Sequence, residues 1–127
     1  TLSLAEQVQF DAAYTFIYSP RRDTEAAGMS QHFVSPEIAS ERIGRLIEVV
    51  QSGADRRAQR FVGRSVEVLV EGHSRTNPER LRGRSRHNKA VNFDGVASAG
   101  DVIEVEIESA SSTSLSGRAT LLASAVR

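Results

Sequence analysis

Hydrophobic positions in the first half of the chain follow helical spacing in two places. Residues three and four apart predict a short helix that ends near Gln9, with the apolar positions Leu2, Leu4, Ala5 and Val8. Ser35 is an N-cap residue and Pro36 suits the first helical position, so a longer helix is predicted to begin there. Its apolar residues recur at helical spacing and define one buried face: Ala39, Ile43, Leu46, Ile47 and Val50.

Between the two helices the pattern changes to a nearly continuous run of aromatic and β-branched residues at positions 14–18. Such a run is typical of a strand that is buried on both faces, usually in a parallel sheet. We therefore predict a strand over residues 12–18. Because the first 60 residues offer this strand no partner, we expect them to be incomplete as a domain.

From Phe61 onward, apolar and polar residues alternate with the period of two that is typical of β-strands. The alternation runs through residues 66–70, 91–93 and 103–107, and turn signals separate these stretches. We predict five short strands that form a small antiparallel β-barrel, since closure removes exposed strand edges. The boundary is placed at residue 60, with strand, loop and helix in residues 1–60 and β-structure alone in residues 61–127.

Charge is balanced over the whole chain but is unevenly distributed. The 16 Lys and Arg equal the 16 Asp and Glu, so net charge indicates no partner. Residues 75–89, however, carry an excess of five positive charges. On a strand, the spacing of Arg82, Arg84 and Arg86 would place three guanidinium groups on one face, where they could follow a phosphate backbone. A solvated strand face paired with acidic residues explains the same pattern equally well.

Two further residues favour RNA as the ligand of this basic segment, to which Lys89 also belongs. Asn88 offers an amide that can read base edges, and Phe93 offers a ring for stacking. Small barrels commonly bind single-stranded nucleic acid with such a combination. Because Phe93 alternates with Val91, it fits a core position at least as well.

The absence of cysteine excludes several kinds of chemistry from this chain. Without Cys there is no disulfide, thiolate zinc site, Cys nucleophile or cysteine-held iron–sulfur cluster. The three histidines lack the spacing of metal ligands, and nucleophile-elbow, dinucleotide and P-loop motifs do not occur. Neither a membrane span nor a signal peptide is recognisable, so a cytoplasmic protein is expected. The chain starts with Thr1 and a helical pattern, which indicates a piece of a longer protein.

In chain order the sequence reads DAAYTFIYSPR, SPEIASERIGRLIEVVQ, VGRSVEVLVEG, LRGRSRHNKAVNFDG and GDVIEVEI. These segments, in this order, resemble the C-terminal end of the MiaB-type radical-SAM tRNA methylthiotransferases. The resemblance covers essentially the whole chain. Its most specific part is GRSRHNKAVNFDG, because the branch that modifies a ribosomal protein has a different strand at this place.

The resemblance implies an α+β fragment with two parts. Residues 1–60 would be the last strand of a radical-SAM α/β barrel with its following helix. Residues 61–127 would be a TRAM domain, a small OB-like β-barrel that binds RNA.

The resemblance also implies a function for the whole protein. The enzyme would add a methylthio group to the isopentenylated adenosine next to the anticodon of tRNA, with 4Fe–4S clusters and S-adenosylmethionine held by upstream domains of the same polypeptide. This chain alone would then be inactive. Its partner would be the tRNA anticodon stem-loop, and the candidate contacts are Arg82, Arg84, Arg86, Asn88, Lys89 and Phe93 for RNA and Arg21 for the cofactor. The alternative is a protein-interaction β-barrel that does not bind RNA.

One loop departs from the family pattern. The family usually reads S-x-R-P-G-T-P-A after the strand, whereas this chain reads SPRRDTEAA. Arg22, Asp23 and Glu25 therefore stand where Pro, Gly and Pro are expected. Loss of the glycine changes the backbone freedom of a loop that the family places at the mouth of its barrel.

Overall fold

The computed structural model describes residues 1–120 and shows two helices followed by a five-stranded β-barrel. The helices are α1 (Leu2–Val8) and α2 (Pro36–Ala58), and both were predicted from the spacing of apolar residues. The strands are β1 (Ser65–His73), β2 (Leu81–Ser85), β3 (Ala90–Asp94), β4 (Val102–Ala110) and β5 (Ser114–Ala119). Single 3₁₀ turns occupy Ala26–Gly28, Ser30–His32 and Gln59–Phe61. Residues 121–127 of the predicted β block lie outside the described range.

Helix α2 starts where its sequence predicts and is anchored at its far end. Ser35 is the extended N-cap residue, and Pro36 needs no hydrogen-bond acceptor at the first helical position. The helix has 23 residues and is therefore about 35 Å long. Its buried residues are Ala54 and Ala58, which both belong to the last turns. Helix α2 therefore packs firmly only where it approaches the barrel.

The strands close into a barrel in the order β1-β2-β3-β5-β4. The prediction of a five-stranded closed barrel is confirmed, but its strands are not all antiparallel. Four neighbouring pairs are antiparallel, whereas β3 and β5 run parallel. The reason is geometric: strand direction cannot alternate at every step around a closed ring with an odd number of strands. At least one parallel pair is therefore required.

Most of the barrel core consists of inward-facing residues that the alternating pattern predicts. They are at most 3% exposed: Val68, Val70, Val91, Phe93, Ile103, Val105 and Ile107. Leu115 on β5, which the pattern did not single out, is buried with them. Ala58 and Phe61 belong to the same cluster, although they precede the first strand. The segment between them and β1 is fixed to β4, because the Gly63 amide donates to the Ile107 carbonyl oxygen at 2.8 Å. The end of α2 and the barrel thus share one hydrophobic core.

The structure does not contain the strand predicted for residues 12–18. Tyr14 is 92% exposed and Phe16 is 84% exposed, so the aromatic run is not buried either. A strand needs a neighbour that pairs its backbone amides and carbonyls. All strands within residues 1–120 belong to the barrel, so residues 12–18 find no such neighbour.

Instead of entering a sheet, residues 16–18 line a groove of about 950 Å³ together with α1 and α2. Apolar side chains such as Phe33, Ile43 and Leu46 form much of its wall. The face of α2 that the sequence predicts to be buried is therefore left open to this groove over its first turns.

The loop after residue 18 has a left-handed backbone at the position where the family pattern has glycine. Asp23 has φ +64°, a conformation that Asp tolerates better than most residues with a side chain. The turn is tied by the Thr24 hydroxyl, which donates to the Arg21 carbonyl oxygen at 2.7 Å and accepts from the Ala27 amide at 3.2 Å. The loop thus retains a glycine-like backbone without the glycine.

A substitution at Gly117 tests how closely β5 packs against β4. It faces inward on β5 opposite Ile107, and a Cβ at this position would overlap the backbone carbonyl oxygen of Glu106. We expect Gly117→Ala to lower the free energy of unfolding by about 1–3 kcal/mol, because β4 and β5 must move apart. Urea denaturation followed by circular dichroism measures this change.

The matched control is Gly44→Ala on α2, where an added Cβ meets no atom within 4 Å. This substitution should be neutral or should stabilise the protein by up to about 1 kcal/mol through helix propensity. An unchanged unfolding midpoint for Gly117→Ala would contradict the close packing of β4 against β5.

Candidate RNA-binding surface

Strand β2 carries two of the three predicted arginines on the outside of the barrel. Leu81, Gly83 and Ser85 face inward, so the intervening Arg82 and Arg84 face outward. Arg86 lies one residue beyond the strand, in the turn to β3, with a side chain that is 78% exposed. We call Arg82, Arg84 and Arg86 the basic face.

Each guanidinium of the basic face lies near a carboxylate of β1. Glu67 Oε1 accepts a hydrogen bond from Arg86 Nε at 2.9 Å and lies 2.8 Å from Nη2 of the same guanidinium. Glu71 lies 3.9 Å from Nε of Arg82 and 3.9 Å from Nε of Arg84, distances that are too long for hydrogen bonds. Such exposed ion pairs are worth about 0–1 kcal/mol each. A phosphate group can therefore replace these carboxylates at little cost.

Arg82 has a donor that the barrel itself does not use. Its Nε atom is buried, and no acceptor within residues 1–120 hydrogen-bonds to it. The Glu71 carboxylate lies 3.9 Å from this atom, so Glu71 approaches the donor without forming a hydrogen bond with it.

Asn88 lies at the end of the basic face in the tight turn between β2 and β3. Its φ of +60° is in the left-handed region, which Asn adopts more readily than most residues. The Asn88 backbone amide donates to the Ser85 carbonyl oxygen at 2.9 Å, and the Asn88 backbone carbonyl oxygen accepts from Arg84 Nη1 at 3.3 Å. The turn therefore holds the exposed Asn88 side chain next to Arg84 and Arg86.

Two of the predicted RNA contacts do not lie on this surface. Phe93 is 0% exposed because it points into the core from β3, so its ring is not accessible for stacking. Lys89 is 6% exposed, and its Nζ atom donates to the backbone carbonyl oxygen of Asp11 at 3.1 Å. Both assignments are corrected, because the alternation along β3 turns Phe93 inward and the ammonium group of Lys89, which precedes β3, is engaged by Asp11.

Acidic residues occupy a different side of the barrel. Glu104, Glu106 and Glu108 are exposed on β4, which is not a neighbour of β2 in the barrel. Strand β1 separates β2 from β4 in one direction, and β3 and β5 separate them in the other. A polyanion is therefore attracted to the basic face and repelled by β4.

Comparison with known proteins identifies the barrel. The sequence model of the TRAM domain matches residues 59–120. These residues are a TRAM domain. The match begins at the 3₁₀ turn that brings Phe61 into the core and ends at the last described residue.

The chain is also similar to longer proteins called tRNA-2-methylthio-N(6)-dimethylallyladenosine synthase. It is 48% identical over 118 residues to those of Geobacillus kaustophilus and Bacillus licheniformis, and 46% identical over 117 residues to that of Shouchella clausii. These matches cover 91–92% of this chain but 22–23% of the relatives. The chain thus spans about a fifth of the length of the curated relatives it matches.

The TRAM domain contains one further arginine whose role the sequence did not reveal. Arg80 Nη1 donates to Ser116 Oγ at 3.0 Å, and Nη2 donates to the carbonyl oxygens of Asn92 and Gly117 at 3.3 and 3.2 Å. Its Nε also donates to Asp94 at 3.1 Å. Arg80 therefore connects β3 to β5, the parallel pair that closes the barrel.

The remaining predicted site residue, Arg21, lies in the exposed loop before α2. Its role as a cofactor contact stays a prediction. The chain has no cysteine, and within residues 1–120 no three His, Asp or Glu side chains come together as metal ligands. These residues do not fit an iron–sulfur cluster. None of the helices described combines the length and hydropathy needed to cross a membrane.

Arg80→Lys tests the structural role of this arginine. An ammonium group cannot reach the hydroxyl, the carboxylate and two carbonyl oxygens at once, so acceptors between β3 and β5 lose their donors. We expect a decrease in the free energy of unfolding of about 1–3 kcal/mol, measured by urea denaturation. Arg75→Lys, in the exposed part of the preceding loop, is the control and should change stability by less than about 0.5 kcal/mol. Equal effects of the two substitutions would contradict the assignment.

Proposed function

We propose that this TRAM domain binds tRNA through the basic face, as part of a tRNA methylthiotransferase. The observation that carries the proposal is the placement of Arg82 and Arg84 on one outer strand face, with Arg86 and Asn88 at its end. Alternate residues on a strand are about 6.5–7 Å apart, which is comparable to the spacing of phosphates along a nucleic-acid strand. The Arg82 and Arg84 guanidinium groups can thus contact successive phosphates, Arg86 adds a third positive charge in the adjoining turn, and the Asn88 side-chain amide can reach a base edge.

The RNA in this proposal is the anticodon stem-loop of tRNA. The names of the relatives refer to a methylthiolated dimethylallyladenosine in tRNA. On the present proposal the full protein transfers a methylthio group to the isopentenylated adenosine next to the anticodon and works in the cytoplasm. The radical-SAM chemistry and its 4Fe–4S clusters would belong to upstream domains, so this chain alone would be inactive.

Residues 1–60 would complete the catalytic barrel of the full protein. Large apolar side chains are exposed throughout their first 47 positions: Leu4, Val8, Phe10, Tyr14, Phe16, Ile17, Tyr18, Met29, Phe33, Val34, Ile38 and Ile47. Apolar surface of this extent marks an interaction site. We propose that upstream parts of the same polypeptide cover it and supply the neighbouring strands that residues 12–18 lack. The relatives, of which this chain spans about a fifth, have the length that this requires.

Charge reversal on the basic face tests RNA binding directly. We expect Arg84→Glu to weaken binding of an anticodon stem-loop and to lower the slope of log affinity against log salt by at least about 0.7–0.9, the value for one phosphate contact. Fluorescence anisotropy of labelled RNA at several salt concentrations measures both quantities. Asn88→Ala should weaken binding without changing the slope, because it removes no charge.

Two further variants make this test specific to the basic face. Arg118→Glu introduces the same charge change next to Glu108 on the acidic side and should have a much smaller effect than Arg84→Glu. Glu71→Gln removes the carboxylate that lies between Arg82 and Arg84 and should strengthen binding. Equal weakening by Arg84→Glu and Arg118→Glu would show that RNA responds only to net charge. An absence of RNA binding by the unaltered chain would favour the protein-interaction alternative.

A further inference from the structure

Asp11 connects the N-terminal segment to both α2 and the TRAM domain. Its Oδ1 atom accepts hydrogen bonds from Arg57 Nε at 2.9 Å and from Arg60 Nη1 at 2.9 Å, and Oδ2 accepts from Arg60 Nη2 at 3.3 Å. The backbone carbonyl oxygen of Asp11 accepts from Lys89 Nζ at 3.1 Å. One residue thus binds the end of α2 and the following 3₁₀ turn with its side chain, and the residue just before β3 with its backbone.

The chemistry of these contacts makes the connection stronger than an ordinary surface ion pair. Arg60 engages both carboxylate oxygens, a geometry that fixes orientation as well as distance. The Arg60 and Arg57 guanidinium groups hold the pKa of the Asp11 carboxyl well below its usual range, so the carboxylate stays charged. Lys89 is 6% exposed, and a buried ammonium group is costly without an acceptor. Lys89 therefore depends on the Asp11 carbonyl oxygen as an acceptor.

A second route leads from Asp11 to the turn that carries Asn88. The Arg60 guanidinium lies over the Phe61 ring at 4.4 Å from its centroid. The Phe61 ring contacts the His87 ring edge to face, with centroids 4.9 Å apart. Both neighbours of Asn88 in the sequence are therefore connected to Asp11. His87 is connected through Phe61 and Arg60, and Lys89 binds Asp11 directly.

We propose that Asp11 is a positioning residue that sets the orientation of the basic face relative to residues 12–18. These residues follow it directly and, on the proposed function, lead into the catalytic part of the enzyme. Asp11 would thereby determine where a nucleotide held at the turn between β2 and β3 meets the reacting groups. This role rests on the proposed function, whereas the connection between the two parts of the chain does not.

The connection that Asp11 makes between the N-terminal segment and the barrel can be measured with spin labels, because the chain has no cysteine of its own. Ala13→Cys and Ala99→Cys, both at exposed positions, accept spin labels without background, and double electron–electron resonance gives their distance distribution. We expect one narrow distribution in the otherwise unaltered chain and at least a twofold broader one after Asp11→Asn. Lys89→Met, which removes the other half of the connection but keeps the side-chain length, should also broaden it.

The control is Glu41→Gln, which removes a different carboxylate–arginine pair, Glu41 with Arg45 at 3.4 Å on α2. It should leave the distance distribution unchanged. Amide hydrogen exchange of the barrel should be the same in all variants, because Asp11 lies outside its core. An unchanged distribution after Asp11→Asn, or a general loss of barrel protection, would overturn the proposal.

Enzyme kinetics distinguish a role of Asp11 in positioning from a role in RNA binding. In the full-length enzyme, Asp11→Asn should lower kcat for methylthiolation at least tenfold and leave KM for tRNA unchanged, and Asp11→Glu should restore part of the rate. If the unaltered chain does not bind RNA, the proposed function fails while the distance measurement still decides whether Asp11 connects the two parts. An unchanged kcat would overturn the positioning role.

Discussion

Insertion of Phe61 into the barrel joins helix α2 to the β-structure, because the ring belongs to the same buried cluster as Phe93 and Leu115. A helix that shared no core with the barrel would be attached only by a few exposed contacts. Here the outer surface of the same ring also meets Arg60 and His87. The burial of one side chain thus fixes the helix end, the turn between β2 and β3, and Arg60, one of the two arginines that bind Asp11.

Closure of the barrel determines which side chains are available for binding. Because successive residues of a strand face opposite sides, filling the core with Leu81 and Gly83 on β2 turns Arg82 and Arg84 outward. The same rule turns the glutamates of β4 outward on another side of the barrel. A nearly neutral protein thereby acquires one basic surface and one acidic surface, which is the charge distribution that directs a polyanion to a single site.

Local patterns in the sequence predict the parts of the structure that neighbouring residues decide. The start of α2 at Ser35 and Pro36 follows from capping chemistry, and the inward positions of Val68, Val91 and Val105 follow from alternation. Other features depend on partners that are distant in the sequence or absent from the chain. Residues 12–18 have the composition of a buried strand, but no strand within residues 1–120 pairs with them. The sequence groups Lys89 with the arginines, since no local pattern reveals that its acceptor, the carbonyl oxygen of Asp11, lies 78 residues away.

RNA is proposed to bind this TRAM domain on the outer face of β2, and nuclear magnetic resonance of the isotopically labelled chain tests this binding site most directly. An anticodon stem-loop is titrated into the protein, and the shifts of backbone amides are followed residue by residue. The expected result is that shifts concentrate at residues 82–88 and at the adjoining positions 67–71 of β1, while residues 104–108 of β4 stay unchanged. Shifts centred on β4, or spread evenly over the barrel, would contradict the account.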